Sequence, residues 1–506
     1  MHSWAEVARG CRDRRVVTLF ALGISAGLPL LLIFSTLSVW LSEAGMARAD
    51  ITLLSWAALG YGFKYVWAPI IDRMPVFVLT ALMGQRRSWL LIAQISIMIA
   101  LLGMAWTDPA HSATAMAGFA VMLGFSSATQ DIVIDAYRIE VADVDLQGIL
   151  AAAYIAGYRV GMIVAGAGSL EIAGLLDSSG GGYDYDAWAW TYTIMAGVML
   201  FGVATTLLVK EPEIIRDDDA HLETTADHAR FFLVFLICAA VFVGIFILSS
   251  DIAASAKVYL SDGLGKSFAG FLVEAQRLIF AMGAAFLLGR TLLDLNVASR
   301  ALVSNAYIGP FRDFFARFGK HALLVIALIA LYRSADVVMG AIANVFYIEL
   351  GFEKQIIGRI TKGFGLVMTI VGGFLGGLMT LRYGVMKILF LGAVLAAATN
   401  LLFAVLATLG PDVAMLSVVI AADNLSAGLA SAAFVAYLSA LTSVQFTATQ
   451  YALFSSLMLL LPKLIAGYSG GMVDAVGYET FFIATAVLGI PVMILILFAA
   501  RLTKVE

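Results

Sequence analysis

Charge is scarce in this chain. Only 13% of its 506 residues are Asp, Glu, Lys or Arg, against 61% hydrophobic, and the mean hydropathy is +0.95. That balance excludes an ordinary soluble protein. The formal net charge of −4 gives no nucleic-acid signal. Cysteine is nearly missing: Cys11 lies in a basic N-terminal segment and Cys238 in an apolar run, no CxxC exists, and a disulfide framework is excluded. The five histidines (His2, His111, His221, His228 and His321) all fall in or beside expected loops. A proton relay within the membrane must therefore use carboxylates. There is no HExxH and no buried histidine to serve a nucleophile as base, so an intramembrane enzyme would lack its chemistry. Asp217, Asp218 and Asp219 near His221 and His228 read as a solvated linker, because nothing there fixes ligand geometry for a metal.

What is present is a succession of apolar runs of about twenty residues, the length that crosses a bilayer. Spans are expected at 16–41, 51–71, 88–106, 112–136, 147–172, 188–209, 231–250 and 268–289, then at 321–349, 356–381, 384–408, 412–440, 448–470 and 480–500, fourteen in all. The first follows Arg9, Arg12, Arg14 and Arg15 but is too long for the apolar core of a signal peptide. Between the eighth and ninth, Phe311, Phe314, Phe315 and Phe318 share one helical face beside Arg312, Arg317 and Lys320, the pattern of a helix lying at lipid headgroups. Assigning alternate loops to one side collects twenty Lys and Arg with the N-terminus against five (Arg48, Lys257, Lys266, Lys354 and Arg359), which puts both termini in the cytoplasm.

Asp131 and Asp135 stand near the end of the fourth span, after an uncharged stretch from Ser112 to Leu123. Four residues apart, they occupy one face of a helix. Two carboxylates this close do not ionise together cheaply, so one can hold and release a proton near neutral pH. Charge at this depth usually faces a bundle interior or water and is usually functional. The plainer reading is a helix end, with Asp135 and Arg138 forming an interfacial pair.

The chain repeats itself. Gly124, Ser127 and Ala128 match Gly428, Ser431 and Ala432 at an offset of 304, and Arg159 matches Lys463 at the same offset. Two similar six-helix halves are the architecture of the major facilitator superfamily. The expected organisation is an N-terminal six-helix bundle at 1–210 and a C-terminal one at 321–506. Between them, 211–320 holds a cytoplasmic linker, two inserted spans and the interfacial helix. The halves differ at the acids: Asp131 and Asp135 correspond to Val435 and Ser439, so coupling chemistry belongs to the first half.

The segments Ser25-Ala26-Gly27-Leu28-Pro29, Phe63-Lys64, Trp67-Ala68-Pro69, Asp72-Arg73 and Gln85-Arg86-Arg87-Ser88-Trp89 resemble those of the AmpG muropeptide permeases. So do Ser127-Ala128-Thr129-Gln130-Asp131-Ile132-Val133-Ile134-Asp135-Ala136, Gly157-Tyr158-Arg159, Pro310-Phe311-Arg312-Asp313 and Thr447-Ala448-Thr449-Gln450-Tyr451. The resemblance spans nearly the whole chain. It implies a bacterial inner-membrane permease that imports N-acetylglucosamine–1,6-anhydro-N-acetylmuramic acid and its peptides with protons, for cell-wall recycling and β-lactamase induction. It implies no cofactor beyond the coupling proton. A monomer in membrane lipid is expected. The acidic 180–186 loop and the 290–309 connection depart from the family pattern.

Such a ligand needs aromatic faces, hydrogen-bond donors and buried cations. Arg159 and Lys463 would lie at related depths across the cavity, with Lys64, Arg333, Gln130, Asp423, Asn424 and Tyr158 as further candidates. The competing reading makes Arg159 a structural partner of Asp131 or Asp135, and Arg333 a partner of Asp336. Tyr61, Trp67, Tyr154, Tyr437 and Tyr468 are either sugar platforms or packing. Asp72 and Arg73 with Arg86 and Arg87 resemble the superfamily's cytoplasmic gating motif, with Arg382 as a weaker counterpart. The rival function is a transporter of this superfamily with another cargo, such as a peptide, an acetyl-coenzyme A-like compound or an exported one.

Overall fold

The structure, a computed structural model, describes residues 12–46, 59–180, 182–213 and 224–502. Among them thirteen helices are long and apolar enough to cross a membrane. The chain is therefore a multi-pass membrane protein. The expected span at 51–71 is described only from residue 59, and Arg9, Cys11, Arg48, Arg216, Asp217, Asp218, Asp219, His221 and Lys504 lie outside the described residues.

The chain divides into two compact units. One joins Met1–Ile215 with Phe314–Glu506 and the other is Arg216–Asp313. In the first unit, α1 runs Arg14–Glu43, with Asp13 accepting from the Arg15 amide at 2.8 Å as its N-cap. Its course is interrupted at Phe34, whose φ of −104° and ψ of −89° leave the helical range. α2 is the helical stretch 59–73, built from short turns, with Lys64–Val66 wound tightly as a 3₁₀ turn. Then come α3 (Gln85–Ala105), α4 (Ala113–Glu140), α5 (Val144–Leu176) and α6 (Tyr185–Leu208).

The second unit holds α7 (Thr225–Leu248), a helix Ser250–Leu264 and α8 (Lys266–Asp294). Exposed Leu233, Val243 and Ile247 on α7 suit a face in lipid. Its charges are paired internally: Glu274 accepts from Lys257 at 2.5 Å and from Arg277 at 2.9 Å, and Arg277 stacks on Phe246.

α9 (Gly309–Phe318) crosses the boundary of the units; its first-unit part buries Phe314 against Phe454 and leaves Phe315 exposed, so these phenylalanines divide between the core and the outer surface. The remaining elements are α10 (Ala322–Leu331 continuing as Ser334–Glu349), α11 (Gln355–Tyr383), α12 (Val385–Leu409), α13 (Val413–Leu441), α14 (Thr447–Ala466) and α15 (Ser469–Leu502).

Each half has its own core. Trp40, Trp188 and Tyr192 stack in the first, while Phe346, Phe403 and Phe482 interlock in the second. Backbones meet where glycines allow it. A Cβ on Gly157 or Gly161 of α5 would strike the Phe20 or Ile24 carbonyl of α1, and one on Gly372 or Gly376 of α11 would strike Leu425 or Leu429 of α13.

Candidate functional site

The acid pair sits where α4 passes between α2, α5 and the C-terminal half. Asp131 and Asp135 are each 8% exposed, and the helix is buried without interruption from Gln130 to Ile139. The two carboxylates have unequal surroundings. Asp135 lies between two cations, with Lys64 Nζ at 3.6 Å from one oxygen and Arg138 Nη2 at 3.3 Å from the other. Among the described residues Asp131 receives a single hydrogen bond, 3.3 Å from the Tyr154 hydroxyl, and it feels the charge of Lys64. A buried anion with one neutral donor is the poorly satisfied member of the pair. Lys64, in the 3₁₀ turn of α2, is 8% exposed and makes its ion pair with Asp135.

Arg138 lies two residues before the end of α4 and pairs with Asp135, but it is enclosed by protein. It is fully buried, donates to Gln147 at 2.9 Å and crosses to the C-terminal half, where its Nη1 meets the Ser439 hydroxyl at 2.7 Å and its guanidinium lies 5.0 Å from the Tyr451 ring centre. The Asp135–Arg138 pair of the plainer reading is therefore present, but the carboxylate, Gln147 and a hydroxyl of the other half replace water as the partners of Arg138. Arg159 does not pair with either aspartate; Lys64 and Arg138 have taken the place it would fill.

A second cluster joins the halves near the ends of α4 and α2. Asp72 accepts from Arg86 at 2.8 Å within its own half. From the other half it accepts the amides of Ala448 and Thr449 at 3.1 and 2.8 Å and the Thr449 hydroxyl at 2.7 Å. These amides open α14, where unpaired N–H groups and the helix dipole favour an anion. Arg86 also grips Glu140, and Glu211 accepts from the Arg86 and Arg87 amides at 2.8 and 3.0 Å. Arg87 donates to the carbonyls of Thr206 and Leu207, and Arg73 stands 5.1 Å over the Phe446 ring of the C-terminal half. Gly148 and Gly377 complete the seam with backbone in close approach. Four gating candidates are thus brought together. Glu140, Glu211, Thr449, Ser439 and Gln147 were not singled out in the sequence; their one signal is a polar residue at a helix end or beside a glycine.

In the C-terminal half, Arg333 donates to Ser431 at 2.5 Å and pairs with Asp336 at 3.5 Å, the structural pairing weighed above. Arg159, half-buried, makes no ion pair among the described residues, and its charge and that of Arg333 act on one another across the halves. Lys463 is exposed. Asp423 takes a 3.4 Å bond from Thr399, and Asn424 is held by Thr369 and the Ile420 carbonyl, both within the C-terminal half. Gln130 is fully buried, and neither end of its amide finds a hydrogen bond among the described residues. Tyr158 lies 6.0 Å from Tyr154, while Tyr437 is buried against Phe434 as packing. Among the described residues no group of three His, Cys, Asp or Glu could hold a metal ion.

Two helical halves meeting at one end around a buried acid pair define a transporter of the major facilitator fold. Solved structures agree. The proton:xylose symporter XylE matches with a TM-score of 0.60 at 13% identity, over 96% of this chain and 94% of that one. The Escherichia coli fucose:proton symporter FucP matches with a TM-score of 0.60 at 13% identity, over 96% and 97%. No protein-family model matches the chain. Relatives identify it more narrowly: AmpG 4 of Rickettsia felis is 30% identical over 98% of both chains. The anhydromuropeptide permease of Escherichia coli K12 is 27% identical over 97% of this chain and 81% of that protein. The chain belongs to the AmpG family, and it is a transporter rather than an enzyme.

Proposed function

We propose that this protein is a proton-coupled permease of the bacterial inner membrane. It carries N-acetylglucosamine–1,6-anhydro-N-acetylmuramic acid and its peptides from periplasm to cytoplasm by alternating access, feeding peptidoglycan recycling. The carrying observation is the unequal acid pair: Asp135 is fixed by Lys64 and Arg138, and Asp131 is left with one tyrosine hydroxyl. The name of the Escherichia coli relative supplies the cargo class.

Both termini lie in the cytoplasm on the charge bias of the loops. The seam of Asp72, Arg86 and Arg138 then closes the cytoplasmic end, and substrate enters from the periplasm. Arg159 with Arg333, and Lys463 behind them, receive the carboxylates of the peptide, while Tyr158 offers a face to a sugar ring. Gln130, with an unmatched amide beside Asp131, and Lys64 adjust to the loaded state. Asp423 and Asn424 hold the C-terminal wall of the cavity. Protonation of Asp131 removes a buried charge and biases the halves towards the inward-open state. Protons are the one coupling partner, and a single chain holding both halves suffices as the working unit.

Counterflow of labelled anhydromuropeptide into liposomes holding purified protein tests the reading. Unlabelled disaccharide–peptide should compete, while free peptide and coenzyme A esters should not. Competition by either of the latter, without competition by muropeptide, would assign another cargo.

A further inference from the structure

Along the last three turns or so of α4, Asp131, Asp135, Arg138 and Glu140 follow one another towards the seam between the halves. The two outer residues engage α14 of the C-terminal half at neighbouring points. Glu140 does so through Arg86 and Asp72 onto Ala448 and Thr449, and Arg138 does so directly on Tyr451. Arg138 also reaches Ser439 on α13, the position that the internal repeat pairs with Asp135 itself. Its Nε is buried with no hydrogen-bond partner among the described residues. The guanidinium is thus held on two sides and unsatisfied on a third, the arrangement of a contact that can be exchanged.

We propose that Arg138 is the positioning residue that carries the charge state of the aspartate pair to the closed end, gripping Ser439 and Tyr451 while Asp135 fixes it and releasing them when it does not. This rests on the proton-coupled reading above. The groups facing the pair are Lys64 and Tyr61 from α2, Tyr154 and Tyr158 from α5, and Tyr451 from α14. Of these only Lys64 carries a charge that can be redistributed at neutral pH. With Asp131 ionised, Lys64 divides its attraction between Asp131 and Asp135, and Asp135 remains free to orient Arg138. A proton on Asp131 lets Lys64 close on Asp135. Two cations then compete for one carboxylate, and Arg138 gives up the bond across the seam. The same step explains why Gln147 is built in. It binds Arg138 from one side and the carbonyls of Arg138 and Ala142 from the other, so the guanidinium keeps a partner in its own half after release.

Ser439→Ala removes the acceptor in the C-terminal half and leaves the Asp135–Arg138 pair intact; Arg138→Lys keeps the charge but cannot reach both partners. In liposomes both variants should accumulate anhydromuropeptide under a pH gradient about tenfold less than the wild type, the worth of one charge-assisted hydrogen bond, while gradient-free counterflow persists. Equal loss of both fluxes, or loss of neither, would overturn the proposal. A second arm needs no substrate. Spin labels at exposed Val144 and Val444, one in each half, report the seam by their separation. The wild type should widen at acid pH and close at alkaline pH, and Ser439→Ala should lose most of that pH dependence while still sampling both distances. A variant that follows the wild-type response contradicts the latch. If the wild type carries no muropeptide at all, the permease reading falls while the label distances still decide the role of Arg138.

Discussion

The Asp72 carboxylate of the N-terminal half caps the helix that opens with Thr447 in the C-terminal half, accepting the Thr449 amide at 2.8 Å and its hydroxyl at 2.7 Å. Arg86 holds the other side of the same carboxylate. One anion therefore joins a cation of its own half to the helix dipole of the other.

Asp72→Asn keeps the shape and removes the charge. Each charge-assisted bond lost weakens the closed seam by about 1.5–3 kcal/mol. With Cys11 and Cys238 replaced by serine, a single cysteine at buried Ala448 should then react several-fold faster with an impermeant maleimide. Unchanged reactivity would show that the seam does not depend on this charge.

The two aspartates should respond oppositely to neutralisation. Asp135→Asn strands Lys64 and Arg138 as buried cations without their anion, a loss of about 3–5 kcal/mol, and should lower the melting temperature in detergent. Asp131→Asn removes a charge held by one tyrosine hydroxyl and should leave the melting temperature unchanged or raised. Thermal unfolding of the two purified variants separates the cases.

Asp131 and Asp135 are legible in the sequence because a carboxylate within an apolar run has few bland explanations. That α1 and α5 approach closely at Gly23, Gly27, Gly157 and Gly161 is visible only in the fold. Arg138 misled because a basic residue near a helix end resembles an interfacial anchor. Its burial depends on Ser439 and Tyr451, some three hundred residues away in the chain. Glu140 and Glu211 were invisible for a related reason. Each sits at the end of an apolar run where a charge is ordinary, and only the folded seam turns them onto Arg86 and Arg87. Local pattern reveals what is unusual within one helix, whereas partners across the halves are set by packing.

The helix crossing gives a prediction of its own. Gly157→Ala places a methyl group on the Phe20 carbonyl and should abolish accumulation of folded protein. Gly174→Ala, on the same helix with nothing near its Cβ, should be neutral. Yields after size-exclusion chromatography compare them.

Arg159 and Arg333 should matter in proportion to the charge on the cargo. Arg159→Gln and Arg333→Gln should each raise KM about tenfold or more for the disaccharide–peptide, the worth of one charge-assisted contact. KM for the peptide-free anhydro disaccharide, which carries only its lactyl carboxylate, should rise less. Initial uptake rates with both substrates check this.

Proton movement measured together with uptake tests the account most directly. Liposomes loaded with a pH-sensitive dye and given anhydromuropeptide outside, with no imposed gradient, should acidify internally with wild-type protein. With Asp131→Asn they should not acidify, although the labelled substrate still equilibrates by counterflow. Uptake by the wild type without acidification, or acidification that survives Asp131→Asn, would contradict it.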